Sequence, residues 1–175
     1  MDMDTAITSA PAESGAAPVA NRGRLRHIAM SVQDPWETAM FYMDAFGMQK
    51  IGETDSELAT GVYLTDGVIN LALLKYKTDA AAGGPGEAVK TNIHHIGFWV
   101  DDANASGDAI KKSGGTWFMG EVADGNTFYE VKYRDPNNII FDVSGNGWGG
   151  AVKDPITAGD AQAPALRHPE LKAKR

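Results

Sequence analysis

Three histidines of this chain fall in two short apolar stretches, RHIAMSVQD around His27 and NIHHIGFWVDD around His94 and His95. Imidazole is both the commonest metal ligand and an acid–base group that works near neutral pH. The chain has no cysteine, which excludes disulfides, thiolate zinc sites and cysteine nucleophiles. A metal here would be held by His, carboxylate, amide or water. Adjacent side chains on a strand point to opposite faces. Only one of His94 and His95 is therefore expected to face what the sheet encloses.

The two stretches belong to a repeat. RHIAMSVQDPWETAMFYMDAFG (26–47) aligns without a gap on HHIGFWVDDANASGDAIKKSGG (94–115), at an offset of 68 that carries His27 onto His95 and Gly47 onto Gly115. Each copy opens on a strand, with Ile28, Met30 and Val32 matching Ile96, Phe98 and Val100 on one face. A helix follows in each copy. The first has Asp34 as N-cap, Pro35 at N1 and Glu37 at N3; Trp36, Ala39, Met40, Met43 and Phe46 form its predicted apolar stripe. The second starts at Asp102 and stops at Gly114–Gly115, with Ala105, Ala109 and Ile110 predicted inward.

Three strand-like runs follow each helix: MQKIGET, ATGVYLT and VINLALLKY, then TWFMGEV, TFYEVKYR and NIIFDVSG. The order βαβββ thus occurs twice. The expected fold class is α+β, built from two βαβββ repeats. The apolar faces of the first strands must meet the helices, because nothing else in each repeat covers them. His27 and His95 then share the concave face, while His94, equivalent to Arg26, is expected on the helix side.

The predicted organisation is a disordered arm over 1–23, a domain over 24–148 and a loose tail over 149–175. Within the domain, modules 24–76 and 92–148 flank a flexible Gly/Pro linker, 77–91. His168 falls in the tail, where it is expected to be solvated. A net charge of −7 with no Lys/Arg cluster argues against a nucleic-acid partner. No run reaches the length of a membrane span, and the first residues lack a secretory signal. The cytoplasm is the default location.

The motifs RHIAMSV, HHIGFWVDD and RDPNNIIFDVSG resemble the first, fifth and eighth strands of the vicinal oxygen chelate superfamily. That superfamily includes glyoxalases, methylmalonyl-CoA epimerase, bleomycin-resistance proteins and extradiol dioxygenases. The resemblance covers about 25–145. It implies that the two βαβββ repeats form a cupped, barrel-like mixed sheet with helices on its convex side. It also implies one divalent metal ion (Fe, Mn, Ni, Co or Zn) held by His27, His95 and Asp142, with Asn70 of VINL as a fourth candidate. Asp142 in DPNNIIFD stands where the family carries a glutamate, one methylene longer. Two imidazoles and a carboxylate suit such ions and leave positions open for substrate. Strand parity agrees, since Asp142 and Asn70 lie opposite the apolar faces of their strands.

The resemblance further implies a metal-dependent lyase or isomerase acting on a small oxygenated substrate. Extradiol enzymes carry a tyrosine three residues before Asp-Pro and a histidine earlier; this chain has Lys132 at the first position and no histidine in GEVADGNTF. An iron dioxygenase is therefore the second reading. A metal-free small-molecule binding protein is the third. The same match turns Glu130 and Lys132 into the cup, as candidate base and pocket residue, although a cross-strand surface pair would look alike. Trp99 shares the concave parity and is a candidate pocket wall. Whether the cup closes within one chain or across a homodimer is open at this level.

Overall fold

The structure is a computed structural model that describes residues 21–122 and 130–155. The expected arm up to residue 20, part of the TFYEVKYR run, and the tail beyond 155 with His168 lie outside the described residues.

Ten elements follow in the order β1 (Arg24–Ser31), α1 (Pro35–Phe46), β2 (Gln49–Asp55), β3 (Ala59–Thr65), β4 (Asn70–Tyr76), β5 (Asn92–Trp99), α2 (Ala103–Lys112), β6 (Thr116–Met119), β7 (Val131–Arg134) and β8 (Ile140–Ser144). The strands make one mixed sheet in the order β2-β3-β4-β1-β5-β8-β7-β6. Its edges, β2 and β6, do not pair with each other, so the sheet is an open cup and not a closed barrel. The modules join through antiparallel β1 and β5, and each first strand pairs in parallel with the last strand of its own module. The cup is thus built within one chain.

Residues Ile28 and Ile96, related by the 68-residue offset, pair directly across the β1–β5 seam. His27 pairs with Gly97, and Ala29 pairs with His95, which are also equivalent pairings. The register breaks once on each strand, leaving Arg26 and His94 without ladder partners. Each is the extra residue of a β-bulge, which re-aims side chains. This overturns the expected position of His94: strict alternation fails at the bulge, and its ring lies edge-on against that of His95, centroids 5.0 Å apart.

The helices cap as their sequences predict. Asp34 accepts from the amides of Trp36 and Glu37, and Asp102 from that of Ala105. Their buried faces differ from expectation. Helix α1 buries Pro35 and Ala39 against Val62, Leu64, Leu71 and Leu73, while Trp36, Met40, Met43 and Phe46 are largely exposed. The inward arc of α1 is centred on Ala39, with Tyr42 packed partly buried beside it. Helix α2 likewise buries Ala103, Ser106 and Gly107 rather than Ala105 and Ala109.

The linker is tied down rather than loose. Asp79 accepts from the amides of Gly86 and Ala88, the Arg134 guanidinium donates to the Gly83 carbonyl, and Ala82 is buried. Residues 149–155 are also pinned. Asn70 donates to the Gly149 carbonyl, Thr65 to that of Gly150 and Arg26 to that of Val152, while Lys153 and Asp154 pair with Asp101 and Arg24.

Candidate metal centre

The centre of the cup places His27, His95 and Asp142 together, with one donor atom of each lying within 4.8 Å of the others. His27 and His95 are 3% exposed and Asp142 is fully buried. The two Nε2 atoms are 3.3 Å apart, and His95 Nε2 is 3.1 Å from Asp142 Oδ2. Strand pairing sets this up: His27 and Asp142 both lie beside Gly97, whose missing side chain leaves room for the Trp148 ring against His27.

Outer hydrogen bonds decide which ring nitrogen is bare. The Asn70 amide donates to the Gly149 carbonyl at 2.8 Å, so its Oδ1 faces His27 Nδ1 at 2.7 Å and accepts that nitrogen's proton. His27 Nε2 is left as a lone pair in the cluster. Asn70 therefore contacts the far side of the His27 ring and stands outside the group of converging donors. The place in the first module that corresponds to Asp142 is Ala72, which pairs with Ala29 as Asp142 pairs with Gly97.

Charge in the cluster is uneven. Lys132 Nζ sits 2.6 Å from Asp142 Oδ2 and 3.4 Å from Glu130 Oε2. Burial works against its ammonium, but the Asp142 and Glu130 carboxylates outweigh that and raise its pKa above the ordinary lysine value. Burial, with His95 beside it, lowers His27 to about 4. Burial, Lys132 and His94 lower His95 well below the usual histidine range. Both rings are thus neutral at pH 7. Among the described residues, the buried Asp142 Oδ1 has no hydrogen-bond partner. Two imidazole nitrogens converging on Asp142 Oδ2, on a carboxylate whose other oxygen has no partner among those residues, are a donor set that a cation would satisfy. The residues present fit a divalent ion.

A cavity of about 150 Å³ opens on the cluster, with His27, His95, Glu130 and Lys132 at its polar end and Leu58, Ala59, Leu74 and Met119 among its apolar walls. Ala72 also lines it, so the side lacking a fourth donor faces open space. A second cavity of about 360 Å³, which includes Ile51 and Trp148, shares Tyr63 and Glu130 with the first. Trp99 lines neither. It stands at the end of β5 opposite Arg24, beyond the floor of the cup, and its indole donates to the Gly145 carbonyl.

Trp148 takes the role expected of Trp99. Its ring stacks on His27 at 4.8 Å and 6°, and its Nε1 donates to Glu130 Oε1 at 2.5 Å. Sequence reasoning missed it because it sits outside any periodic element, in SGNGWGG. The one available signal was a large aromatic set among glycines, at the point where the last strand ends.

Two four-stranded modules joined into a single cup, with an imidazole from each first strand and a carboxylate from the last, define a paired-module fold with a candidate metal centre on its pseudo-twofold axis. The chain belongs to the Glyoxalase/Bleomycin resistance protein/Dioxygenase superfamily, whose family model matches residues 24–148. Solved structures similar to it include a methylmalonyl-CoA epimerase in complex with methylmalonyl-CoA and NH4+, at 18% identity and a TM-score of 0.59, over 70% of this chain and 93% of that one. A single-residue variant of the Streptomyces coelicolor epimerase, in complex with 2-nitronate-propionyl-CoA, matches at 19% and 0.58 over 69% and 95%. The Mycobacterium tuberculosis epimerase matches at 14% and 0.56 over 69% and 85%. At these identities the likeness is one of fold. A search of curated protein sequences finds no match. Among the described residues, no helix is long and apolar enough to cross a membrane.

Proposed function

We propose that the chain is a metal-dependent lyase or isomerase of the glyoxalase/epimerase type, acting on a small oxygenated substrate in the cavity over His27, His95 and Asp142. The observation that carries this reading is the convergence of His27 Nε2, His95 Nε2 and the fully buried Asp142 carboxylate, whose Oδ2 lies 3.1 Å from His95 Nε2 and whose Oδ1 has no hydrogen-bond partner among the described residues. A divalent ion held there supplies Lewis-acid polarisation of a substrate carbonyl or hydroxyl and stabilises charge developing on its oxygen. Glu130 is the base: it lines both cavities and is oriented by Trp148 at one oxygen and Lys132 at the other. Lys132 is the cation closest to a developing oxyanion, and it keeps the Asp142 carboxylate aimed at the cluster. Leu58, Leu74 and Met119 keep water from the reacting carbon. The epimerase relatives were solved with methylmalonyl-CoA and with 2-nitronate-propionyl-CoA, which supports testing an acyl-CoA alongside small hydroxy- and oxo-acids.

One observation favours a metal-free binding protein. The Lys132 ammonium already satisfies Asp142 Oδ2 at 2.6 Å, as a resident cation would. Elemental analysis of the purified full chain separates the readings, with stoichiometric metal expected in the wild type and lost in His95→Ala. Turnover of methylmalonyl-CoA and of hydroxy- and oxo-acids is then followed under argon and in air, with Fe(II), Mn(II), Ni(II), Co(II) or Zn(II) restored in turn. Equal turnover without oxygen, supported by a redox-inert ion, is the expected result. Product only with iron and only in air would replace the lead with a dioxygenase. A protein that takes up no metal at all would make it the binding protein.

A further inference from the structure

The bulge on β5 puts a second histidine behind the first. His94 Nε2 lies 2.8 Å from the Ala82 carbonyl. A carbonyl only accepts, so Nε2 carries the proton of the neutral ring and Nδ1 is left as an acceptor. His95 Nδ1 is 2.7 Å from that acceptor, and the Tyr76 hydroxyl is 3.2 Å from it. At 2.7 Å, closer than the Tyr76 hydroxyl, His95 Nδ1 is the donor to that lone pair, which leaves His95 Nε2 bare toward His27 and Asp142.

We infer that His94 is a positioning residue: through its contact with the Ala82 carbonyl it fixes His95 as the Nδ1–H tautomer and aims the bare His95 Nε2 into the cluster. The chain of contacts starts in the linker. Ala82 is 1% exposed, and the next carbonyl, that of Gly83, is gripped by Arg134 at 2.9 Å. The linker therefore has a defined carbonyl to offer, at a fixed place. The two histidines of the cluster reach the same state by different means. His27 is set by an amide side chain from β4, and His95 by a neighbouring ring that the bulge turns alongside it. Arg26, which occupies the equivalent bulge in the first module, instead reaches out to the Val152 carbonyl. Outer partners of this kind fix ring orientation and typically change metal affinity about 10–100-fold when removed.

The inference rests on the metal-site reading for its purpose, but the tautomer itself is measurable without metal. Two-bond ¹H–¹⁵N correlation spectra of the metal-free full chain should show His95 protonated at Nδ1 and His94 at Nε2. His94→Gln keeps an oxygen that can accept from His95 and should retain that tautomer. His94→Phe keeps the ring but offers no acceptor, so His95 should shift toward Nε2–H and affinity for Zn(II) should fall about 10–100-fold. Wild-type His95 protonated at Nε2 would overturn the inference, even if His94→Phe failed to fold. So would a folded His94→Phe with unchanged tautomer and affinity. A chain that binds no Zn(II) yet shows the stated tautomers would defeat the enzyme reading and leave this one intact.

Discussion

Substituting Gly97 by alanine tests the centre of the cup without touching a candidate ligand. Gly97 has no left-handed φ, so the backbone tolerates a side chain there and the cost is one of space. An added Cβ would lie 2.7 Å from two atoms of the Trp148 ring and 2.8 Å from His27 Cβ, against roughly 3.5–4.0 Å for relaxed carbon contacts. About 1 Å of movement is required. His27 Cβ is fixed by a ladder on both sides of β1, so the Trp148 ring must yield, and with it the stack on His27 and the hydrogen bond to Glu130. Overpacking costs about 1–3 kcal/mol, and a hydrogen bond to a carboxylate contributes about 1.5–3 kcal/mol. Glu130 is partly exposed and recovers some of the second from water. A net loss of about 2–4 kcal/mol is expected, or roughly 5–15 °C in melting temperature for a domain of this size. Urea unfolding followed by circular dichroism measures the loss, and tryptophan fluorescence reports release of Trp148. In a Trp148→Leu background the same substitution should cost much less. Wild-type stability in Gly97→Ala, or equal costs in both backgrounds, would refute the packing argument.

Asp142→Asn should weaken Zn(II) binding at least about tenfold more than Asn70→Ala, because the first removes ligand charge and the second only an outer hydrogen bond. Competition titration of the stripped variants decides it, and equal losses would mean that Asp142 is no ligand. The metal-free protein should lose stability as pH falls from about 6.5 to about 4. In that window unfolded His27 takes up a proton that the folded ring, lowered to about 4 by burial, refuses. The shift corresponds to about 3 kcal/mol, fully present above pH 6.5 and gone near pH 4. His95, also lowered by burial, adds to the same slope, so His27→Gln should reduce the urea-derived pH dependence in that window without abolishing it, and an unchanged slope would contradict the assignment.

Much of this was legible in the sequence, because duplication and strand parity are strong signals. The offset of 68 pairs His27 with His95, and the alternation in NIIFDVSG turns Asp142 away from the apolar face, with no coordinates needed. Parity failed at His94, since a bulge shows only as a break in ladder register. Trp99, read by parity as a pocket wall, lines neither cavity and donates to the Gly145 carbonyl instead. The apolar stripe of α1 misled for a different reason. Trp36, Met40, Met43 and Phe46 repeat at helical spacing, but the arc that meets the sheet is centred on Ala39. Trp148 and the pinned linker were invisible because loop contacts obey no period.

The duplication explains where the site is, and its breakdown explains why the site has chemistry. On the seam, symmetry is nearly complete: Ile28 meets Ile96, and each histidine sits beside a small residue of the other strand. Two identical modules would present two identical donor sets, four ligands that already close the shell of a tetrahedral ion. This chain departs from that at every place bordering the histidines. Ala72 stands where its counterpart is Asp142, which opens one side of the cluster to the cavity. Lys132 grips Asp142 from β7, whereas the first module pairs Asn70 with His27. The anionic donor, the buried ammonium and Glu130 all fall in the second module, and the apolar walls Leu58, Ala59 and Leu74 in the first. A substrate in the cavity would meet the charged groups on one side and, on the other, a neutral wall that mixes Leu58, Ala59 and Leu74 with Thr54, Ser56, Tyr63 and Tyr76. Under the proposed function, that asymmetry would give a small molecule with one oxygenated end a preferred direction in a fold whose backbone is nearly symmetric.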